Sequence, residues 1–219
     1  MKRHLVLLGA ILAGTMFCSL NAQEFRNVKE VSNGHGNCAL IEGNVAVLNE
    51  KETATLVLDY TDTHIVEFEK EGGIVAKDLG TAVEFFAAKD EEGQAQWEEI
   101  KANLLEISTE RFNKKFKMKI CDDGSAKYEI KLVFENIDFG NAAASTFGLK
   151  FHEEGGAEFS GNLIVTEIAT GNVALNLRIN NVKGNDATGY NFTVNKRLKY
   201  TVGTVFFGRY LPKVVSKNS

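Results

Sequence analysis

Proline occurs once, as Pro212, and tryptophan once, as Trp97. Cysteine occurs three times, and the first, Cys18, falls in the N-terminal leader. Two cysteines, Cys38 and Cys121, are too few for a disulfide-stapled scaffold. They are also too few for an ordinary structural zinc site, which needs four ligands in close pairs. His35 and Cys38 have the spacing of one such pair and Cys121 could add a third ligand, but no second pair follows. After residue 22 no apolar run reaches the roughly 20 residues of a membrane-spanning helix.

Positive charge is also in short supply. The chain has 25 Lys and Arg against 29 Asp and Glu, a net charge of −4. This balance argues against a nucleic-acid partner, which needs a clustered positive surface. The basic run at residues 114–119 ends a predicted helix, where cations complement the helix dipole. Lys196, Arg197 and Lys199 read as a solvated face. There is no nucleophile elbow and no Gly-rich phosphate loop. Gly34-His35-Gly36 is not followed by a helix, so a nucleotide reading fails on context. Ser125, Ser145 and Ser160 have no base partner in sequence. No repeat and no low-complexity linker divides the chain, which points to one domain.

What is present starts with a leader. Lys2, Arg3 and His4 precede an apolar run from Leu5 to Phe17, and Ala22 offers a small residue before Gln23. This is the three-part pattern of a secretory signal peptide, residues 1–22, followed by a single domain at 23–219 with its core at about 38–211. Lipid anchoring through Cys18 would need a small residue where bulky Phe17 stands. In an oxidising compartment Cys38 and Cys121 could pair, closing a long loop worth ~4 kcal/mol; two separate buried thiols are the alternative.

The elements then follow in order. Residues 38–48 read as a small hairpin turning at Glu42-Gly43-Asn44. Thr53–Tyr60 reads as a strand with Leu56, Leu58 and Tyr60 on one face, and His64–Lys70 as a second, broken by Gly72-Gly73. Residues 82–88 are helix-compatible with Val83, Phe86 and Ala87 on one side, and residues 90–93 read as a loop. The main helix, Trp97 to Phe116, carries an apolar stripe of Trp97, Ile100, Leu104 and Ile107, widened by Leu105, Phe112 and Phe116. A strand with Tyr128, Ile130, Leu132 and Phe134 inward and Lys127, Glu129, Lys131 and Glu135 outward implies a sheet with one wet face. Residues 159–168, a turn at 169–172, and a strand with Val173, Leu175, Leu177 and Ile179 on one face form a hairpin.

The last helix starts near Thr193. Gly203 and Gly208 cost it ~1 kcal/mol each, a cost that close approach to the sheet would justify. Pro212 marks its expected end, with fraying beyond. Phe206, Phe207 and Tyr210 wrap further around it than a one-sided stripe needs. They are therefore the candidate interaction residues, facing a partner chain. Asp59, Asp62 and His64 in DYTDTH place acidic oxygens beside an imidazole, a second place for a cation.

The words ATLVLDYTDTHI, RFNKKF, IDFG, LIVTEIATGNVAL and GTVFFGRYL, in this order behind an exported leader, resemble a group of uncharacterised secreted or lipid-anchored Gram-negative envelope proteins. That group is similar in fold to the N-terminal domain of TolB and to the periplasmic domain of curli-type secretion channels. The resemblance spans residues 53–211 and implies no activity and no functional residues.

The expectation is thus an α+β two-layer sandwich, a mostly antiparallel sheet of four to six strands with two main helices on one face. The expected function is that of an exported non-catalytic envelope protein, periplasmic or outer-membrane associated. It would need no cofactor and would contact other envelope proteins or copies of itself. The alternatives are a small-molecule or metal-binding periplasmic protein using the DYTDTH and GHGNC loops, and a hydrolase whose site is not visible in sequence.

Overall fold

The strand to read the sheet outward from is β7 (Tyr128–Asp138), which has a neighbour on both sides. Its alternation buries Tyr128, Ile130, Leu132 and Phe134 and leaves Glu129, Lys131 and Val133 half-buried on the opposite face. At Glu135 the pairing with its neighbour slips by one residue. The inward set therefore restarts at Ile137 instead of Asn136, as a bulge requires.

The structure is a computed structural model and describes residues 29–32, 37–68, 75–140, 156–184 and 194–218. The expected signal peptide, Cys18, His35, Ser145 and His152 lie outside these residues. The other strands are β1 (Lys29–Ser32), β2 (Asn37–Gly43), β3 (Thr53–Asp59), β4 (His64–Phe68), β5 (Val75–Thr81), β6 (Lys119–Ile120), β8 (Glu158–Glu167) and β9 (Val173–Lys183). They form one nine-stranded sheet in the order β1-β2-β9-β8-β7-β3-β6, and β4 joins β7 while carrying β5 at its other edge. Antiparallel pairs dominate, but β3 and β4 both run parallel to β7, and β6 runs parallel to β3. The α+β class holds. The expected four to six strands are corrected to nine.

Between β3 and β4 the chain turns at Tyr60–Thr63, so the two strands line the same flank of β7 in succession. Thr63, fully buried, donates its hydroxyl to the Phe134 carbonyl at 2.8 Å. This supplies a hydrogen bond where the two strands leave a gap in the ladder. One row crosses the covered face: Leu58 opposite Leu132, Leu132 opposite Leu163, Leu163 opposite Leu177 and Leu177 opposite Leu40.

The helices form a layer on this side of the sheet. α1 (Ala82–Ala87) begins at a reciprocal cap between Thr81 and Glu84 and buries Ala82 and Phe86. Val83, expected on its inner face, is exposed. α2 (Asp90–Lys115) starts about two turns earlier than expected and takes in residues 90–93. Gly93 permits this, because a Cβ there would come within 2.3 Å of the Phe86 carbonyl oxygen. Trp97, Ile100, Leu104, Ile107 and Phe112 are buried as the stripe predicts, whereas Leu105 is not. The hairpin expected at residues 38–48 is instead β2 followed by a 3₁₀ turn, Val45–Asn49. Asn44 caps that turn by accepting from the Ala46 amide at 2.9 Å, a typical N-cap role.

The chain closes with α3 (Val194–Lys199), a π-helical stretch (Tyr200–Tyr210) and α4 (Leu211–Asn218), joined through residues of helical conformation. In the π register, residues five apart stack. The pairs Val202/Phe207 and Val205/Tyr210, and the trio Thr201/Phe206/Leu211, are all buried. The wide turn broadens the apolar face, which explains why it looked too broad at helical period. Gly203 is required by α2, not by the sheet: a Cβ there would sit 2.4 Å from Ile107 Cγ1. Pro212 does not end the helix. It falls where the Leu211 amide still bonds the Phe206 carbonyl in the π register. A missing N–H costs least at such a change of register. Val214 and Val215 beyond it are buried, so the expected fraying at 213–218 is corrected as well.

Candidate functional site

The long helix α2 and the π-helical stretch pack on the buried face of the sheet, and among the described residues no helix covers the opposite face of β3, β7, β8 and β9. At its centre Arg178 on β9 meets Glu135 on β7. Arg178 Nη2 donates to Glu135 Oε2 at 2.6 Å and Nη1 donates to Oε1. Asn162 Nδ2 adds a bond to Glu135 Oε1 at 3.2 Å, and Arg178 Nε donates to Asn180 Oδ1 at 3.1 Å. A two-pronged pair of this kind fixes geometry as well as charge. It exists because the Glu135 bulge re-aims that carboxylate across β8.

The second bulge lies between β8 and β9. There Asn181 takes a left-handed conformation, φ 53°, and its amide donates to Ser160 Oγ at 2.9 Å. The Oδ1 atoms of Asn176 and Asn181 are buried without a protein partner. Around the network run mixed rows, Val57 opposite Lys131, Lys131 opposite Ile164 and Ile164 opposite Asn176. Val57 is exposed and the other three are half-buried.

The candidate residues named from sequence lie elsewhere. Phe206, Phe207 and Tyr210 are all at 0 % exposure. Phe206 meets Phe159 edge-on at 5.5 Å between ring centres, and Phe207 meets Phe112 at 6.2 Å. Tyr210 hydrogen-bonds the Cys38 thiol. They are core, wedged between sheet and α2, and expose nothing to a partner chain. Cys38 and Cys121 are both free thiols. Cys38 lies on β2 and Cys121 follows β6, five strand positions away. At ~4.8 Å per strand that is on the order of 20 Å, far beyond the reach of a disulfide. The same separation keeps both from a common metal.

Burial pushes the Cys38 thiol up to about 12, so it stays protonated and unreactive. Burial also raises the Tyr60 and Tyr210 hydroxyls. In DYTDTH, Asp59 accepts from the amide and hydroxyl of Thr61, which hold it below its usual range. His64 turns instead to Asp78, Nδ1 to Oδ2 at 2.9 Å. Bonds from His64 and the Gly80 amide lower Asp78. Among the described residues no three side chains of metal-ligating type gather at one point. An open groove at the start of α2 is lined by Lys89, Glu92, Gly93, Ala95, Gln96 and Glu99. It has none of the enclosed apolar lining of a small-molecule site.

The basic residues divide. Lys119 Nζ donates to the Phe116 carbonyl at 2.8 Å and to that of Asn113, which satisfies the C-terminal carbonyls of α2. Arg197, expected on a solvated face, is buried and donates from Nη1 to the Gly140 carbonyl at 3.0 Å.

The alternation that turns Leu177 and Ile179 inward turns Arg178 outward, as it does Glu135 on the other strand, but it does not join them. They are 43 positions apart and meet only through the shifted register.

The fold and site thus define an α+β protein whose described helices all lie on one side of a mixed sheet. No protein-family profile and no curated protein matches the sequence. Among solved structures, PelC from Paraburkholderia phytofirmans, crystallised as a dodecamer, is similar at 9% identity, a TM-score of 0.36 and coverage of 83% of this chain and 97% of that one. A DUF330-family protein from Xanthomonas campestris is similar at 10% identity, a TM-score of 0.37 and coverage of 80% and 91%. At these values the likeness carries no argument about fold or function. The expected similarity to TolB and curli-type channels finds no support. No described helix is long and apolar enough to cross a membrane.

Proposed function

We propose that this chain is an exported, non-catalytic module of the cell envelope that contacts other proteins, or further copies of itself, through its open sheet face. The observation that carries this reading is the asymmetry of the sheet. The described helices belong to the layer on the leucine side, and the other face displays mixed rows of Val, Ile, Lys and Asn around an Arg178–Glu135 pair. A face of moderate polarity with a rigid charged centre resembles the composition of non-obligate protein interfaces. The Arg is a common anchor in such places.

The test is capture from native envelope extract, comparing the natural chain with a Lys131→Glu/Ile164→Asp double variant. The reading expects a discrete partner, or self-association, that the double variant loses while it keeps its thermal unfolding transition. Recovery of no partner, with a stoichiometric ion found by elemental analysis, would instead move the function to ion binding.

A further inference from the structure

The charge of this acidic chain is not evenly spread. Residues 111–119 and 194–218 hold eleven of its 25 lysines and arginines and none of its 29 aspartates and glutamates. The fold brings the ends of these two segments together. α2 and the terminal helix run side by side in the same direction, with Ile107 against Gly203, Arg111 near Gly208 and Phe112 against Phe207. Beyond them α4 packs on the 3₁₀ turn at Val45–Asn49. The Met118 amide bonds Leu48 of that same turn at 3.4 Å. Lys115, Lys117, Arg209, Lys213 and Lys217 are exposed at this end of the helix layer.

The helix dipole explains Lys114, Lys115 and Lys119, which sit at or cap the end of α2. It does not explain Lys117, which lies past the helix, or Arg209 and Lys213, which lie well before the end of α4. Nearby carboxylates are engaged with other partners: Glu110 with Lys114, Glu106 with Lys199, Glu52 with Lys127, and Asp123 with Ser125.

We propose that this basic end docks on an anionic membrane surface, its lysines meeting phosphate-bearing lipid headgroups. Three features favour that occupant over a nucleic acid. Single strands bind where aromatic rings stack on bases, and the aromatics here, Phe112, Phe116, Phe207 and Tyr210, are all buried. The chain as a whole is acidic, which repels a long polyanion. The exposed cations are mostly lysines, mobile point charges that suit a diffuse headgroup layer better than forked recognition of one phosphate.

The test is co-sedimentation of the full chain with vesicles of phosphatidylcholine alone or mixed with phosphatidylglycerol. Any contribution of the leader is then common to all arms. Binding is expected only to the anionic vesicles, and it should weaken as salt rises from ~0.1 M to ~0.5 M. The variant K115Q/K117Q/K213Q/K217Q should bind them about 100-fold less tightly. Arginine at the same four positions should retain binding, as should K77Q/K89Q at the opposite end of the layer. The proposal is overturned if the glutamine variant, with an unchanged unfolding transition, binds within about twofold of the natural chain. It is equally overturned by equal binding to neutral vesicles, or by binding of a single-stranded DNA probe without vesicle binding.

Discussion

Two adjacent rows cross the sheet. Leu58, Leu132, Leu163, Leu177 and Leu40 form the first, and Val57, Lys131, Ile164, Asn176 and Glu42 form the second. The backbone that carries them is the same, so the hydrogen-bonded ladder cannot distinguish them. What differs is the layer above. The leucines meet α2 and the π-helical stretch and, from Leu132 to Leu177, lose all contact with water. Over their neighbours no described helix packs. The inner row therefore holds the fold, and the outer row is free to vary with what the protein must touch.

The widest break in that comparison should come from Leu163. Leu163→Ala is expected to lower stability by about 2–5 kcal/mol, whereas Lys131→Ala should stay within about 0.5 kcal/mol, both by chemical denaturation. Comparable losses at the two positions would mean that the outer face is covered too.

Gly203→Ala should cost about 1–3 kcal/mol by forcing the terminal helix off α2. Ile107→Ala in the same chain should recover part of that loss, because it removes the side chain the new methyl strikes. A smaller effect sharpens the outer face. A double-mutant cycle between Arg178→Ala and Glu135→Gln should give a coupling of about 1 kcal/mol, reduced for its partial exposure to water. A coupling of zero would leave the face without a fixed centre.

The smallest expected effect is a dependence on acid. Asp78 is held below its ordinary value of 3.8 in the folded chain. The stability it contributes is therefore fully present above that value and is lost as pH falls through the lower folded value. Asp78→Asn should therefore lower stability slightly at neutral pH and converge on the natural chain once the pH has fallen below that window, as followed by denaturation at a series of pH values.

How much of this could be read from the chain depended on where each interaction is encoded. The alternation at Tyr128–Phe134 and the stripe from Trp97 to Phe112 are local patterns, and both were legible. β5 was not, because Val75 to Asp78 are all exposed and an edge strand needs no alternation. β6 is two residues long and carries no pattern. Phe206, Phe207 and Tyr210 spread around a helix of 3.6 residues per turn, whereas the stretch that carries them is wound in the wider π register and turns all three inward. The open face was legible as polarity alone. Its centre was not, since two bulges decide which polar residues meet.

The parallel seam between β3 and β7 has a consequence for how the chain reaches this state. Ala54 pairs with Tyr128, and Leu40 of β2 pairs with Leu177 of β9. Closing such distant contacts carries a loop entropy that local hairpins do not, and it slows folding. The hairpin of β8 and β9 can form as soon as it exists, with β7 beside it. The N-terminal strands, made first, must wait for those three to give them an edge. Until then β2 has only β1 beside it and β3 has no edge of the β7–β9 group to join, so the topology predicts that the first-made segments are the last to be secured.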